Sequence, residues 1–378
     1  MAKKASIQAV AREAGVSVTT VSRTFAKPDL VLPTTRDKVM AAAHKLDYHI
    51  SRSAAALKSG QSFRIALLIS DDIATWFNAH VYAGLDSVLH PAGYDISVFA
   101  MSSAAQRREF FTSLPVRRNA DAVVVCSFNI EPAEVRKLKA MNVPILGINI
   151  PSNDGFDAGV SIDDYAAERA AAEHLIALGH KRIAFIGYTD PRSTLRYSAS
   201  ARLKGLLDAC AAHDGVEAMP FTISQGPSQV NDALNALVGR LPMPTAVATS
   251  DDAIAVPLLF RLRQYGRRVP EDMSVIGFDD AGCAADIGLT TLHQDPFAMG
   301  AAIARRALRL IGSDAAFGDD TFGDDVAHAA TNAVAHDTTH DAAHATNDID
   351  IINDNSTAFI TPQTPLMLRD TTAPPANK

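Results

Sequence analysis

Pairs of acidic residues recur in this sequence directly after short apolar runs, and paired carboxylates can do chemistry. Two carboxylates held at a defined separation act as acid and base, or as acid and nucleophile, in sugar hydrolysis. Carboxylates also accept hydrogen bonds from ligand hydroxyl groups, and Asp after a strand is a common helix cap. All three roles are open for these pairs. The polar residues that follow the runs are Ser70, Asp71, Asp72, Ser127, Asn149, Gly187, Tyr188, Ser250, Asp251, Asp252, Asp279 and Asp280.

The catalytic role has no second motif to support it. Gly-x-Ser-x-Gly, a Walker phosphate loop and a His-Glu-x-x-His metal motif are all absent from the sequence. Counting Asp pairs does not exclude a hydrolase, so hydrolysis stays open as an alternative function. We expect that the protein is not an enzyme and has no catalytic residue. We also expect no cofactor and no metal.

The apolar runs predict the elements that would position these residues. Runs of strand length alternate with helical stretches, for example Tyr165–Leu178 and Asp251–Tyr265, which end at Gly179 and Gly266. Such alternation predicts parallel sheets with helices on both faces. Ligands of these folds bind beyond the carboxyl ends of the strands, where the polar residues stand. The predicted strands are Ile65–Ile69, Tyr94–Phe99, Ala122–Cys126, Ile145–Ile148, Arg182–Ile186, Ala246–Ala248 and Ser274–Ile276.

Charge is distributed unevenly along the chain, whose net charge is −7. Residues 1–64 contain 11 Lys and Arg against 4 Asp and Glu, a local charge of +7. The remaining residues contain 24 against 38, a charge of −14. A basic head on an acidic body indicates a nucleic-acid-binding module joined to a domain with another role, although a solvated basic face would show the same charge.

Composition indicates a chain that works in a reducing compartment. The sequence is 47% hydrophobic, enough for a sizeable core. No apolar run reaches the ~18 residues of a membrane span, and no apolar signal core precedes the first helix. The widely spaced Cys126, Cys210 and Cys283 fit neither a disulfide framework nor a zinc site. We expect a cytoplasmic protein without a membrane partner.

Three short helices are predicted in the head, the first over Ile7–Ala14 and the second from Val18 to about Phe25. Each follows a hydroxyl residue that can cap it. A small residue, a glycine and a β-branched residue, spaced in that order, let the first two helices cross closely. The second helix would then be free to enter a major groove. The caps are Ser6, Ser17 and either Thr34 or Thr35, and the packing residues are Ala11, Gly15 and Val21.

Three consecutive pieces of the head resemble the lac repressor (LacI/GalR-type) family in order and spacing: "IQAVAREAGVSVTTVSRTF", "TTRDKVMAAAHKLDY" and "SRSAAALKSG". The resemblance implies that Val18, Thr19 and Arg23, on the outer face of the second helix, read bases. Arg can donate two hydrogen bonds to guanine, and Val and Thr methyl groups can contact thymine. Ordinary exposed surface is the alternative for Thr19 and Thr20. The remaining DNA contacts expected in the head are Ser6, Ser17, Thr20 and Ser22. Of these, Ser17, Thr20 and Ser22 are expected to contact phosphates.

Residues 51–58 resemble the family's hinge helix, which orders on DNA as a pair across the dimer axis. Leu57 matches the leucine that wedges into the minor groove, which unstacks a base step and kinks the duplex. Packing within a linker is the alternative for this residue. Ile50 and Ser51 stand where most members have Pro and Asn, so the approach to the hinge is less restricted. The expected hinge contacts are Ala54, Leu57 and Lys58.

The body resembles the family's sensor domain in "AAEHLIALGHKRIAFIG", "SARLKGL", "VPEDMSVIGFDD" and "LTTLHQDP". In the family, two lobes related to bacterial sugar-binding proteins clamp a small molecule. Trp76 and Phe77 match an aromatic pair that flanks the ligand, and core packing is their alternative. Arg202 could instead form a structural ion pair, and Asp252 and Asp280 are assigned to structure. The effector contacts that the resemblance implies are Ser70, Trp76, Phe77, Asn149, Arg202, Asp251, Asp279 and Gln294.

The segment from Gly312 to Asn355 differs in composition, with 10 Asp, 4 His and no Lys or Arg. Too little of it is apolar to offset the entropy of ordering, so we expect a disordered acidic insertion in a surface loop. His336, His340 and His344 would align on a helix and bind a metal weakly, but a polar low-complexity loop is the preferred interpretation. The residues "TAFITPQTPLMLRDTTAPP" then resemble the family's last strand.

We therefore expect a small all-α helix-turn-helix head and an α/β two-lobed body like a periplasmic binding protein, with two parallel doubly wound sheets. The implied function is a transcription regulator that binds palindromic double-stranded operator DNA as a homodimer. It would repress a carbohydrate-utilisation operon and respond to a sugar-like effector. A sugar sensor without operator-specific DNA binding is the main alternative. The expected domains are DNA-binding 1–50, hinge and linker 51–62, effector-binding 63–311, insertion 312–355, and final strand with tail 356–378.

The resemblance leaves the chemistry of the effector open. Related pockets take purines and phosphorylated sugars as well as neutral sugars. No Lys or Arg cluster that would bind a phosphate is evident near the matched positions, so a neutral sugar is preferred. The direction of the response, release or strengthening of operator binding, does not follow from the sequence.

Overall fold

The computed structural model describes residues 5–26, 30–48, 61–101, 104–117, 120–188, 200–312 and 358–376. The chain divides into two compact units, Met1–Phe63 and Arg64–Lys378. The hinge contacts expected at Ala54, Leu57 and Lys58 lie outside the described residues, as do the three spaced histidines of the acidic insertion.

The first unit contains three helices, α1 (Ile7–Ala14), α2 (Val18–Ala26) and α3 (Pro33–Lys45). The first two begin and end within a residue of the predicted positions. A small apolar core joins all three, and it includes the small and β-branched residues whose spacing predicted the crossing of α1 and α2. The fully buried residues of this core are Val10, Ala11, Val21, Val39, Ala42 and Ala43.

The caps of α1 and α2 are those that the sequence predicts. Ser6 Oγ accepts a hydrogen bond from the Ala9 N–H at 3.3 Å, and Ser17 Oγ accepts one from the Thr20 N–H at 3.0 Å. Gly15 adopts φ 67°, so it ends α1 in the left-handed conformation that glycine adopts without strain. The turn between the helices therefore follows from local sequence alone.

The start of α3 differs from the prediction. The helix begins at Pro33 and follows Leu32, whose side chain makes no capping hydrogen bond. Neither Thr34 nor Thr35 is the cap, because both already lie inside the helix. Proline suits the first helical position, since its φ is fixed near the helical value and no N–H is required there.

The second unit contains two six-stranded sheets, one in each of two lobes. Its strands are β1 (Arg64–Ile69), β2 (Asp95–Ala100), β3 (Ala122–Cys126), β4 (Ile145–Ile148), β5 (Ala158–Val160), β6 (Arg182–Gly187), β7 (Glu217–Thr222), β8 (Ala246–Thr249), β9 (Ser274–Asp279), β10 (Thr290–His293), β11 (Phe359–Ile360) and β12 (Leu366–Met367). The first sheet has the order β11-β5-β4-β3-β1-β2 and is parallel throughout. The second has the order β12-β10-β9-β8-β6-β7 and is parallel except at the β10–β12 pair.

Helices cover the faces of both sheets. They are α4 (Trp76–Leu89), α5 (Ala104–Arg117), α6 (Pro132–Lys139), α7 (Asp164–Ala177), α8 (Ser200–Ala211), α9 (Gln229–Val238), α10 (Asp252–Gln264) and α11 (Pro296–Ile311). In the first lobe α4 packs closely against α11, and in the second α7 packs against α8. The close packing of α4 against α11 requires glycine at position 300, because a Cβ there would lie 2.4 Å from the Val81 carbonyl oxygen.

The end of the chain contributes one strand to each lobe, whereas the sequence predicted a single last strand. β11 pairs with β5 in the first sheet, and β12 pairs with β10 in the second. Beyond β12, Thr371 Oγ1 donates to the Val275 carbonyl oxygen at 2.7 Å. The final segment thus spans the two lobes instead of completing one of them.

Candidate functional site

Arg202 occupies the first turn of α8 and is 5% exposed. Its Nε donates to Asp164 Oδ1 at 2.7 Å, and its Nη1 donates to the Ser250 carbonyl oxygen. The guanidinium also lies over the Phe278 ring, 3.4 Å from the ring centroid. The sequence left two roles open for this residue, and the ion pair with Asp164 gives the structural one a definite partner.

Carboxyl groups surround this guanidinium. Burial would lower the pKa of Arg202, but the charges of Asp164, Asp279 and Glu168 outweigh burial and raise it. Burial raises the pKa of Glu168 to about 8, opposed by Arg202 and reinforced by Asp164. Burial also raises the pKa of Asp279 well above its usual range, although Arg202 acts against the shift. Glu168 is therefore a buried acid that keeps its proton near neutral pH.

Asp279 and Gln294 are brought together at the carboxyl end of the second sheet. Gln294 Nε2 donates to Asp279 Oδ1 at 2.6 Å, and both residues are buried. Asp279 adopts φ 120°, a conformation that side chains rarely adopt and that is typical of functional sites. Gln294 Oε1 has no hydrogen-bond partner among the described residues. An acceptor buried without a donor is costly, so this atom indicates a place for a ligand donor.

Asp251 is the N-cap of α10. Its Oδ1 accepts the Ile254 N–H at 3.0 Å, and its Oδ2 accepts from Ser250 Oγ at 3.1 Å. Burial raises the pKa of Asp251, while Arg202 and these hydrogen bonds oppose the rise. Asp251 therefore caps the helix, as the alternative proposed, and its carboxyl group also interacts with Arg202.

Asp252 and Asp280 are structural, as assigned from the sequence. Asp252 is 1% exposed and accepts from Thr291 Oγ1 at 2.8 Å and the Ala281 N–H at 2.9 Å. Asp280 pairs with His293 Nδ1 at 3.1 Å and Arg369 Nη1 at 2.8 Å. These contacts hold β8, β9 and β10 together below the site.

The first lobe places its predicted residues at the corresponding sheet edge. Ser70 follows β1, and Asn149 follows β4, buried and with φ 49°. Trp76 and Phe77 begin α4, and both are partly exposed, which does not fit core packing. The Trp76 ring lies 4.8 Å from the ring of His80.

Residues that the sequence analysis did not select connect the two lobes. Gln225, after β7, donates from Nε2 to Asp71 Oδ2 at 2.8 Å. Tyr188, after β6, is surrounded by negative charge: burial raises its pKa, and Asp251, Asp71 and Asp279 raise it further. Asp71 and Tyr188 stand at strand ends and are among the polar residues that the sequence analysis named there, but they were not among the expected effector contacts. Gln225 stands in a loop and has no such position to indicate it.

Glu168 was also missed, although its position in α7 could have indicated it. The buried face of this helix includes Ala167, Ala171, Ala172 and Leu175, and Glu168 interrupts this apolar stripe. The side chain is 1% exposed, and its Oε1 has no hydrogen-bond partner in the described part of the chain. A carboxyl in an apolar helix face is a strong indication of a buried polar site.

In the first unit, α2 presents an exposed face. Val18 is 41% exposed, and Thr19 and Arg23 are exposed beside it. Ser17 and Thr20 are engaged with each other, since their hydroxyl oxygens lie 2.9 Å apart. An exposed valine on a short helix beside an exposed arginine suits contact with base edges in a groove.

Three or more His, Cys, Asp or Glu side chains that could together hold a metal ion do not occur among the described residues. Likewise, none of the described helices has the length and apolar character that a bilayer crossing requires.

Two family models match the chain. Residues 6–51 match the model described as "Bacterial regulatory proteins, lacI family", and residues 172–322 match a periplasmic binding protein-like domain. The first match covers α1–α3, and the second covers much of the second lobe with α11.

Individual proteins are similar over most of the chain. The HTH-type transcriptional repressor PurR of Photobacterium profundum is 30% identical over 300 residues, which cover 77% of this chain and 87% of that protein. A lac repressor dimer bound to operator and the anti-inducer ONPF has a TM-score of 0.73 at 22% identity, covering 98% of this chain and all of that one. A complex of the transcriptional regulator CelR with cellobiose has a TM-score of 0.60 at 23% identity, covering 97% and 100%. These relatives are transcription regulators, not enzymes.

Proposed function

Because this chain belongs to the LacI family of bacterial regulatory proteins, we propose that it represses transcription from specific operators and that a small sugar-like effector controls its affinity for them. The observation that carries the proposal is the combination of a capped α2, whose outer face is exposed, with polar residues gathered at the carboxyl ends of two mostly parallel sheets. A protein that binds DNA in this way works in the cytoplasm.

Sequence reading is assigned to α2. Val18, Thr19 and Arg23 would contact base edges, and Ser6, Ser17, Thr20 and Ser22 would contact phosphates and so fix the register. The caps at Ser6 and Ser17 leave hydroxyl lone pairs available, so capping and a DNA contact are compatible. Ala54, Leu57 and Lys58 complete the proposed DNA-binding set through the minor groove.

Effector binding is assigned to the edges where the strands of both sheets end. Ser70, Trp76, Phe77 and Asn149 would contact the molecule from the first lobe, and Arg202, Asp251, Asp279 and Gln294 from the second. The hydrogen bond between Gln225 and Asp71 joins the lobes at this edge. The CelR relative was solved with cellobiose, which supports a sugar-like molecule here. Control of a carbohydrate-utilisation operon would follow from such an effector.

Regulation would follow from a ligand held between the two lobes. A ligand held between them favours one relative arrangement, and only a ligand with different affinities for the two arrangements can shift their populations. Effector and operator are then linked: each changes the affinity for the other by the same factor.

A homodimer is part of the proposal, because one copy of α2 reads only half of a two-fold operator. The second unit presents an open groove of ≈ 360 Å³ between α9 and α10. Its lining residues are Pro227, Val230, Pro257 and Phe260 together with the polar Asn231, Arg261 and Gln264. Phe260 is 49% exposed, and Tyr265, just beyond α10, is 54% exposed. We propose a second copy of this chain as the occupant, since symmetric dimers bury such patches.

Phe260→Asp is expected to convert the dimer into a monomer and to weaken operator binding by roughly 100-fold or more, because a charge in an apolar interface is left without a partner. Analytical ultracentrifugation gives the mass, and operator titration gives the affinity. Leu310→Asp is the control, since Leu310 is equally exposed at 49% but lies on α11. A Phe260→Asp protein that remains dimeric would contradict this assignment of the interface.

The whole proposal is tested by titrating the purified protein onto a labelled fragment of the DNA upstream of its own gene. Binding should saturate, resist nonspecific competitor and weaken as salt rises, because phosphate contacts release counterions. If this fragment fails, selection from random sequences should still yield a palindromic site. Failure of both would reject operator-specific binding and leave the sensor without DNA specificity as the better description.

A further inference from the structure

A side-chain hydrogen bond joins the two lobes at the edge where the proposed effector contacts stand. Gln225 lies in the loop after β7 of the second lobe, and Asp71 follows β1 of the first. Gln225 Nε2 donates to Asp71 Oδ2 at 2.8 Å, across 154 residues of sequence. Because the acceptor is a carboxylate, this hydrogen bond is stronger than one between two neutral groups. One lobe can therefore hold the other through it.

A second observation places Asp71 close to the second lobe. Tyr188 follows β6 of that lobe. Burial raises the pKa of Tyr188, and the charges of Asp251, Asp71 and Asp279 raise it further. Asp251 and Asp279 are proposed effector contacts of the second lobe. Asp71 therefore acts from the first lobe on the same phenol as two of these contacts.

The turn that carries Asp71 is anchored to the first lobe. Asp71 Oδ1 accepts the Asp72 N–H at 2.7 Å, so one carboxylate oxygen bonds the turn and the other bonds Gln225. The Asp72 carbonyl oxygen accepts from Asn78 Nδ2 at 2.9 Å. Asn78 belongs to α4 and is 5% exposed. A buried side chain of its own lobe thus fixes the position of this turn.

The loop that carries Gln225 is anchored to the second lobe. Gln229 is the first residue of α9, and its Oε1 accepts from Tyr188 Oη at 3.2 Å and from the Gly226 N–H at 3.5 Å. Its Nε2 donates to the Ala253 carbonyl oxygen at 3.4 Å. Since Gly226 follows Gln225 directly, these contacts tie the loop to Tyr188 and to α10. The bond between the lobes therefore joins two anchored segments.

We propose that Gln225 is a positioning residue of the effector site, and that its bond to Asp71 holds the two lobes at the separation at which both contact one ligand. Neither residue is a proposed effector contact, so both act through the residues beside them. The apparent affinity of a ligand falls in proportion to the fraction of molecules in the binding arrangement. This inference rests on the proposed function, since it assumes that the effector binds between the lobes.

An exchange of the two groups tests the bond without changing side-chain length. Gln225→Glu places a second carboxylate against Asp71, and like charges in contact repel. Adding Asp71→Asn restores a donor and an acceptor: the asparagine Nδ2 donates to the new carboxylate, and its Oδ1 still accepts the Asp72 N–H. The single variant should separate the lobes, and the double variant should bring them together again. Thr222→Glu is the matched control, since it adds the same charge at an exposed position of β7.

Energy transfer between the lobes measures their separation without ligand or DNA. Trp76, the only tryptophan of the chain, begins α4 of the first lobe and serves as the donor. Cys283 lies between β9 and β10 of the second lobe and is exposed, whereas Cys126 and Cys210 are buried, so a thiol-reactive dye on Cys283 serves as the acceptor. Labelled protein is diluted with unlabelled protein, so that transfer within one chain is measured. Transfer should fall in Gln225→Glu and return to the parent value in the double variant.

Ligand affinity tests the consequence for the site. Cellobiose, glucose, galactose and ribose are the probes, and thermal shift measures their binding. A probe that binds the parent protein should bind Gln225→Glu about tenfold or more weakly, and should bind the double variant as it binds the parent. If none of the four binds the parent, energy transfer decides the question.

Two results would overturn the inference. One is energy transfer in Gln225→Glu equal to that of the parent and of Thr222→Glu, which would show that the bond does not hold the lobes. The other is a fall in transfer that the double variant does not restore, which would show that the two residues act separately. If Gln225→Glu does not fold, Gln225→Ala and Asp71→Ala form a double-mutant cycle with the same readout. Non-additive effects on transfer then support the bond, and additive effects reject it.

The outcome is separable from that of the proposed function, because operator titration is run on the same preparations. Specific operator binding together with unchanged transfer in Gln225→Glu rejects the positioning role alone. Transfer that falls in the single variant and is restored in the double variant, without specific operator binding in the parent, rejects the regulator and keeps the bond between the lobes.

Discussion

Arg202→Lys is expected to abolish the response to the effector while operator binding persists. Lysine keeps the positive charge but loses the planar fork, so it cannot bond Asp164 and the Ser250 carbonyl oxygen together or stack on Phe278. These bonds hold Arg202 and Asp164 in place, and each is worth about 1.5–3 kcal/mol. Their loss should displace both groups from the site and lower effector affinity by roughly 100-fold or more. The measurement is effector-dependent release of labelled operator DNA.

The control for this variant lies two residues away on the same helix. Lys204 is exposed and paired with Asp208, so Lys204→Met removes a positive charge from α8 without touching the pocket. Its effector response should match that of the parent protein. Thermal melts of both variants are required, because a buried ion pair that loses one partner destabilises the fold. A folded Arg202→Lys protein with a normal response would show that Arg202 has a structural role only.

Arg23→Ala is expected to remove specific operator binding and to leave weak, salt-sensitive binding to any DNA. The side chain is exposed on α2 beside Val18, and a bidentate arginine–guanine contact contributes about 1–3 kcal/mol of discrimination. A dimer makes this contact twice, so affinity for the operator should fall by roughly 100-fold or more. Titrations against operator and scrambled DNA at two salt concentrations measure both quantities.

Arg12→Ala serves as the comparison, because Arg12 is exposed on α1 and not on the proposed reading face of α2. This change should alter the affinity for operator and scrambled DNA by similar, small factors. If Arg23→Ala behaved like Arg12→Ala, base reading would have to be assigned to another part of the chain. The sensor without operator specificity would then become the stronger hypothesis.

Much of the fold follows from local sequence, because its determinants are local. Ser6, Gly15 and Ser17 set the ends of α1 and α2 through hydrogen bonds that span four residues or fewer. The strands at the centre of each sheet are continuous apolar runs, since helices cover both faces. The prediction for α3 was wrong because two threonines were preferred as caps over the proline that starts the helix.

One edge strand, β7, and the shortest strands could not be predicted in the same way. β7 is a sheet edge that includes Pro220 and alternates exposed with less exposed residues, so it has no continuous apolar run. β11 and β12 contain two residues each, and their pairing with separate sheets depends on partners more than 60 residues away in sequence. Such pairing is a property of the assembled lobes.

The candidate site was predictable where it coincides with strand ends and family motifs. Arg202, Asp279 and Gln294 stand in family motifs, and the structure bonds Gln294 to Asp279 at 2.6 Å. Glu168 was missed, because it belongs to no strand end and only the packing of α7 against α8 brings it near Arg202. The position of Glu168 near Arg202 therefore required the structure.

The central claim is that operator and effector are linked through one protein, and a four-sided binding cycle tests it most directly. Operator affinity is measured with and without saturating effector, and effector affinity is measured with and without saturating operator, at one salt concentration. The account predicts that both affinities change by the same factor, since the coupling free energy is shared. Effector binding that leaves operator affinity unchanged, with operator likewise leaving effector affinity unchanged, would contradict it.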